Sequence, residues 1–294
     1  MSFYYLKFKK NFMAASELKQ YIKKGVPKSI LSYTAKIKAK RSVNQGFANF
    51  ILDSAIEYSK KINGDVSSFD RNLKGLIKNC ENDCNSVIQD ILTAFMTDYK
   101  NNLYQYYKNQ EFLIFYRFLS YPFSSDLSNH FLPYQKGLSR YKSYDILDYG
   151  AGVPYGLINS LLKENNRIRS VTLVDLDLVH LQFVEFLIKK ISPNIELNIY
   201  KITDTDFFPK IEGKFNFFYG KDIFEHLEDP LKNLKKLMDY SMPESVCYFD
   251  FNDHGEIIYQ HLSPNLLFLS DEMINMGFRK GDNVSGLSEF IKGT

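Results

Sequence analysis

Apolar residues in the first 120 positions recur at intervals of three and four, which is the spacing of one face of a helix. One set runs from Phe47 to Tyr58, a second from Leu73 to Phe95 and a third from Phe112 to Leu119. Glycine- and proline-containing breakers separate these segments. The pattern predicts an all-helical N-terminal domain over residues 1–125, for which we consider two roles, a substrate lid and a homodimer face.

The pattern changes after a turn-rich stretch that contains Pro122, Asp126, Pro133 and Gly137, where we expect a linker over residues 126–140. From residue 141 to 294, short apolar runs of strand length alternate with helical patterns. Such alternation predicts an α/β domain with a parallel sheet, whose ligands lie at the carboxyl ends of the strands. The expected strands are Asp145–Asp148, Val171–Val174, Leu197–Tyr200, Phe215–Tyr219 and Val246–Phe251, followed by a helix that ends near Gly277 and two short strands.

Composition indicates a folded chain, with 45% hydrophobic and 24% charged residues, both near the globular average. Three cysteines are too few for a disulfide framework, and no stretch is apolar enough to be a transmembrane helix, so we expect a cytoplasmic protein. Residues 1–41 carry eleven Lys and Arg residues against Glu17 alone. An anionic partner, such as nucleic acid, a lipid headgroup or a phosphorylated substrate, would suit such a segment, but the cations are spread over forty positions, and solvated helix faces are the favoured explanation.

A glycine turn, Leu147–Gly152 with the sequence LDYGAG, ends the first predicted strand. Its glycines permit a sharp turn and a close approach of a ligand to the backbone. The next strand ends in Asp175, 23 residues beyond Gly152, where an acid can accept both hydroxyls of a ribose. Pro154 removes an amide that a dinucleotide pyrophosphate needs, and Asp148 would repel the phosphates. The turn therefore favours a ligand with positive charge, such as one with an amino group and a sulfonium.

These residues resemble the class I S-adenosylmethionine-dependent methyltransferases, over about residues 140–294. The resemblance implies a Rossmann-like seven-stranded sheet, with the cofactor on the glycine turn and its ribose on Asp175. It places the adenine amino group near Asp204, for which Asp206 competes. The residues that it implies for binding S-adenosylmethionine are Asp148, Gly150, Ala151, Gly152, Asp175, Leu176, Asp204, Thr205 and Gly220.

A second chemistry-bearing segment, Asp222-x-x-Glu225-His226, follows the fourth predicted strand. On a helical turn these three side chains would share one face, and such ligands can hold a divalent cation. The segment is similar to the acid-x-x-Glu-His signature of ubiquinone-pathway O-methyltransferases and small-RNA 2′-O-methyltransferases. That resemblance implies Asp222, Glu225 and His226 as metal ligands, completed by His254 or His261, with His254 preferred. In metal-free relatives the same segment lines the cofactor pocket and caps the next helix, and we favour this alternative.

Methyl transfer to a hydroxyl requires a group that lowers the cost of removing its proton, and the candidates are His226, Asp253 and His254. We therefore expect a methyltransferase that acts on a hydroxyl oxygen of a small metabolite or glycan. Two alternatives stay open. One is a metal-dependent RNA 2′-O-methyltransferase, and the other is a catalytically inactive scaffold that keeps the methyltransferase fold.

Overall fold

The computed structural model describes residues 127–203, 208–252 and 265–293, together with seven positions between residues 46 and 58. Those seven positions are helical, and Phe47, Ile51, Ser54 and Tyr58 are buried. Their spacing of four, three and four residues places them on one helix face. The expected helix is therefore present at these positions, whereas the rest of the predicted N-terminal domain lies outside the described residues.

A seven-stranded mixed sheet forms the centre of the remaining described residues. Its strands are β1 (Tyr144–Tyr149), β2 (Ile168–Leu176), β3 (Glu196–Ile202), β4 (Phe215–Gly220), β5 (Ser241–Phe249), β6 (Phe278–Val284) and β7 (Leu287–Lys292). Their order across the sheet is β3-β2-β1-β4-β5-β7-β6. Strands β1 to β5 pair in parallel, and β7 runs antiparallel to both β5 and β6. The predicted seven-stranded, Rossmann-like sheet is confirmed.

Helices connect the strands. Those in the described parts of this domain are α1 (Leu127–Gly137), α2 (Tyr155–Glu164), α3 (Val179–Ile191), α4 (Pro230–Met238) and α5 (Leu267–Asn275). Helix α4 begins at a proline, which suits the first helical position, and the Asp229 carboxylate before it accepts the Lys232 amide at 2.9 Å. None of the helices that can be described is long and apolar enough to cross a membrane.

The central strands are buried on both faces, which is why their sequences are nearly continuous apolar runs. Every residue of β1 is buried, and Leu147 of β1 lies beside Thr172 of β2 and Phe218 of β4. Because β2 flanks β1 on one side and β4 flanks it on the other, the chain order reverses between β1 and β4. Ligands of open α/β sheets bind outside the carboxyl ends of the strands at such a point.

Residues 127–137 differ from the sequence prediction, because part of the expected linker 126–140 is the helix α1. Pro133 lies inside this helix and Gly137 ends it, although both residues indicated turns. The ring of Tyr134 lies 4.9 Å from that of Phe217, centroid to centroid, and a Cβ on Gly137 would lie 2.3 Å from the same phenylalanine. Packing against the sheet therefore outweighs the cost of a proline inside a helix, about 3 kcal/mol.

A buried carboxylate joins the end of α1 to the antiparallel edge of the sheet. Glu289 of β7 is 1% exposed. It accepts hydrogen bonds from Lys136 at 3.0 Å, from Arg140 at 2.7 Å and from the Tyr248 hydroxyl at 2.7 Å. Burial alone would raise the pKa of Glu289, but these donors hold it below its usual value. The carboxylate thus anchors α1 to strands that lie far from it in the sequence.

Candidate functional site

The glycine turn after β1 lies where the chain order reverses. Gly150 and Gly152 have φ angles of 70° and 51°, in the left-handed region that favours glycine. A Cβ on Gly150 would lie 2.6 Å from the Ile223 side chain. The turn after β1 and the segment after β4 are therefore in direct contact, and position 150 has room for glycine alone.

The backbone amides of this turn donate hydrogen bonds to acceptors within the protein. Gly150 N donates to Val174 O at 2.8 Å, Ala151 N approaches the same carbonyl at 3.4 Å, and Gly152 N donates to Asp175 Oδ2 at 2.5 Å. Pro154 has no amide hydrogen to offer. The three engaged amides are a poor cradle for a pyrophosphate, which agrees with the argument from the sequence against a dinucleotide.

Asp175 lies near the end of β2, beside the glycine turn. Its side chain is largely buried. Its Oδ1 accepts a hydrogen bond from the Leu176 amide at 2.6 Å, and its Oδ2 accepts one from the Gly152 amide. Each carboxylate oxygen keeps a second lone pair, so the group can still accept the two hydroxyls of a ribose. The structure thus brings together three residues that the sequence analysis assigned to the cofactor.

Asp148 lies inside the sheet, 1% exposed. Its Oδ2 accepts the Tyr134 hydroxyl at 2.7 Å, and its Oδ1 has no hydrogen-bond partner among the described residues. Burial raises the pKa of Asp148 well above its usual value; the hydrogen bond from Tyr134 lowers it, and the negative charge of Asp175 raises it. A cationic ligand beside this carboxyl group would favour its ionised form.

Two tyrosines that the sequence analysis did not assign lie next to Asp148. Tyr134 comes from α1 and Tyr219 from β4, and their rings are 5.0 Å apart. The Tyr219 hydroxyl is buried and has no hydrogen-bond partner in the described part of the chain. Burial raises its pKa, and the charge of Asp148 adds to the effect, so the phenol stays protonated. The contact of Tyr134 depends on how α1 packs, which no spacing in the sequence indicates, whereas Tyr219 is the register partner of Asp148 on the neighbouring strand.

The segment after β4 does not form the helical face expected for a metal site. Asp222 has a φ of 52° and a side chain that is 53% exposed, and only Phe224–His226 forms a 3₁₀ turn. Asp222 therefore precedes the turn that carries Glu225 and His226, and the prediction of one shared ligand face is wrong. Across the residues that are described, no three His, Cys, Asp or Glu side chains come together as metal ligands. His254 lies outside those residues.

Glu225 is the buried acid of this segment, 1% exposed. Its Oε1 lies 3.8 Å from His226 Nε2, and its Oε2 has no hydrogen-bond partner among the described side chains and backbone. Burial raises the pKa of Glu225 to about 8, and the charges of Asp222 and Asp250 contribute to the increase. At neutral pH this side chain is therefore mostly a neutral carboxylic acid, which can donate a hydrogen bond.

The remaining predicted site residues divide into two groups. Gly220 ends β4, and a Cβ there would lie 3.2 Å from the Phe249 ring, so a larger residue would require this ring to shift. His226 is described as well, with a side chain that is 13% exposed. The second group lies outside the described residues, and its cofactor and catalytic roles stay predictions: Asp204, Thr205, Asp253 and His254.

No protein-family model and no curated protein matches this sequence. Solved structures do match. A putative methyltransferase from Bacillus halodurans is 13% identical with a TM-score of 0.42, covering 54% of this chain and 71% of that one. A SAM-dependent methyltransferase from Aquifex aeolicus is 15% identical with a TM-score of 0.41, covering 55% and 89%. A methyltransferase from Pyrococcus furiosus is 17% identical with a TM-score of 0.40, covering 58% and 85%.

Proposed function

We propose that this chain binds S-adenosylmethionine at the carboxyl ends of β1, β2 and β4 and transfers its methyl group to a hydroxyl oxygen of a small metabolite or glycan. The observation that carries the proposal is the pair of buried carboxyl groups, Asp148 and Asp175, beside a glycine turn whose amides are already engaged. This arrangement suits a ligand that is cationic and carries a ribose, and it is unfavourable for a pyrophosphate.

Each residue has a proposed role in binding. Asp175 would accept the ribose hydroxyls, because its oxygens keep lone pairs after binding two amides. Asp148 would face the cationic end of the ligand, because one of its oxygens has no partner among the described residues. Gly150 and Gly152 let the ligand approach the backbone. Asp204 remains the candidate for the adenine amino group, with Asp206 as its alternative, and Thr205 remains a candidate cofactor contact.

Bound S-adenosylmethionine would supply a methyl group on a sulfonium, which is a good leaving group. The protein must then orient the acceptor in line and receive the hydroxyl proton. We propose His226 as the base that receives this proton, because it follows the carboxyl end of β4 and lies next to the Glu225 carboxyl group. Glu225 would limit the motion of the imidazole. Asp253 and His254 remain alternative bases.

The RNA alternative is less well supported by the charges at this edge of the sheet. In the described residues that follow β1, β2, β4 and β5, carboxyl groups outnumber lysine and arginine side chains. Asp222 is the exposed acid after β4, and although desolvation opposes it, the charge of Lys221 helps to hold its pKa below the usual value, so it is ionised at neutral pH. A phosphodiester would be repelled by such a surface, whereas a neutral hydroxyl would not.

Calorimetric titration with S-adenosylmethionine, S-adenosylhomocysteine and NAD⁺ tests the cofactor. We expect the first two to bind and NAD⁺ not to bind. Asp175→Ala removes charge-assisted hydrogen bonds worth about 1.5–3 kcal/mol each, so affinity should fall at least about tenfold. Glu185→Gln, a half-buried acid on α3 that pairs with Lys189, is the matched control and should bind as the wild type does. Absence of binding at millimolar ligand, or full binding by Asp175→Ala, would refute the proposal.

Release of S-adenosylhomocysteine in the presence of acceptor panels tests the reaction. Hydroxylated metabolites and glycans should support turnover, and an RNA oligonucleotide should not. Turnover on RNA alone would favour the RNA alternative. Cofactor binding without turnover on either panel would favour the inactive scaffold.

A further inference from the structure

A buried histidine lies beside the proposed ribose-binding acid. His180 is in the first turn of α3 and is 2% exposed. Its Nε2 lies 3.4 Å from Asp175 Oδ2. Burying an imidazole costs free energy unless its nitrogens find polar partners, so a purely apolar packing role would be served better by a hydrocarbon side chain.

The Asp175 carboxylate is bound by two backbone donors, and the His180 imidazole lies beside it. Gly152 N donates to Oδ2 at 2.5 Å from the glycine turn, and Leu176 N donates to Oδ1 at 2.6 Å from the end of β2. His180 approaches Oδ2 from α3, which is a separate element. The two backbone donors bind the carboxylate from the strand side, and the imidazole borders it on the side of the helix, where it limits the positions that the carboxylate can take.

We propose that His180 is a positioning residue that holds the Asp175 carboxylate in the orientation needed to accept the ribose hydroxyls of the cofactor. The inference rests on the proposed function. Its physical basis is preorganisation: a carboxylate that is already held in place loses little conformational freedom when the ligand binds. His180 itself would contact the cofactor only through Asp175.

The test compares two ligands, S-adenosylhomocysteine and its 2′,3′-dideoxyribose analogue, by calorimetry. His180→Phe fills the space without a polar group beside the carboxylate, and we expect it to weaken the binding of S-adenosylhomocysteine by about tenfold. The analogue should bind equally to wild type and variant, because it lacks the hydroxyls. His180→Gln keeps an N–H donor and should restore part of the loss. Leu181→Val, a buried neighbour on the same helix, is the control and should leave the ratio of the two affinities unchanged.

A double-mutant comparison completes the design. If His180 acts through Asp175, His180→Phe should have no further effect in an Asp175→Ala background. The inference is overturned if His180→Phe and His180→Gln bind S-adenosylhomocysteine as the wild type does. It is also overturned if His180→Phe weakens the binding of both ligands equally, or if the losses of affinity from His180→Phe and Asp175→Ala add. Failure of wild type itself to bind S-adenosylhomocysteine would instead refute the proposed function.

Discussion

Replacing Glu225 by glutamine should make the protein more stable than wild type at alkaline pH and no more stable at acidic pH. The Glu225 carboxyl group is 1% exposed, and burial raises its pKa to about 8 from the usual value of 4.5. The folded state therefore keeps a proton that the unfolded chain releases above about pH 4.5. The free energy of unfolding of the wild type should fall between about pH 4.5 and pH 8, and this contribution levels off above the folded pKa.

The size of the effect follows from the same two pKa values. Their difference is about 3.5 units, which corresponds to at most about 5 kcal/mol. Glutamine has nearly the same shape but cannot ionise, so it lacks this pH dependence. Its amide would bring donors into a site where Glu225 Oε2 has no partner among the described residues. Burying these unpaired donors costs about 1–3 kcal/mol. At acidic pH, where Glu225 of the wild type is protonated, the variant should therefore be no more stable than the wild type.

Urea denaturation followed by circular dichroism, at half-unit steps from about pH 5 to pH 9, measures the difference between variant and wild type. Other titrating groups contribute equally to both proteins, so the difference isolates Glu225. Glu228→Gln, an exposed acid three residues further along, is the control and should show a flat difference. A flat difference for Glu225→Gln as well would show that Glu225 is ionised in the folded state and would refute the reasoning.

Three further variants test other contacts. Tyr134→Phe removes the hydrogen bond to Asp148 and should raise the pKa of that carboxyl group further. In calorimetry, S-adenosylmethionine should therefore bind about tenfold more weakly at neutral pH, and its affinity should recover as pH rises. A loss of affinity that does not depend on pH would contradict this prediction. Gly150→Ala places a Cβ 2.6 Å from Ile223 at a φ of 70° and should lower the melting temperature and abolish cofactor binding; a wild-type melting curve would contradict it. Glu289→Gln weakens charge-assisted hydrogen bonds worth about 1.5–3 kcal/mol each and should lower the free energy of unfolding in urea at pH 7 by at least about 1.5 kcal/mol. The loss should shrink as pH falls below the usual glutamate pKa of 4.5, because a carboxylate whose pKa is depressed stabilises the fold only while ionised. An unchanged midpoint at pH 7 would contradict this prediction.

Part of the candidate site follows from local rules. Gly150 and Gly152 indicate a turn with positive φ angles, and the structure has both. Asp175 near the end of the next strand had to lie beside that turn, because adjacent parallel strands end at the same edge of the sheet. The contact between Gly152 N and Asp175 is the result. Chain spacing and sheet topology suffice for such a prediction.

Other parts of the site depend on contacts that spacing does not encode. Asp222, Glu225 and His226 have helical spacing, but Asp222 adopts a left-handed conformation and the 3₁₀ turn begins after it. Tyr134 reaches Asp148 because α1 packs on the sheet, even though Pro133 within it indicates a turn. In both places, packing determines the backbone conformation, against the preference of the local sequence.

The sequence by itself determined the strands, the helices between them and the class of the sheet, because burial on both faces leaves a continuous apolar run wherever a central strand forms. Tertiary structure decided which polar groups meet: Tyr134 with Asp148, His180 with Asp175 and Lys136 with Glu289. Periodicity is a property of neighbouring residues, so it survives in a single sequence. Contacts between distant side chains exist only after the helices have docked on the sheet, where burial sets both their geometry and their pKa values.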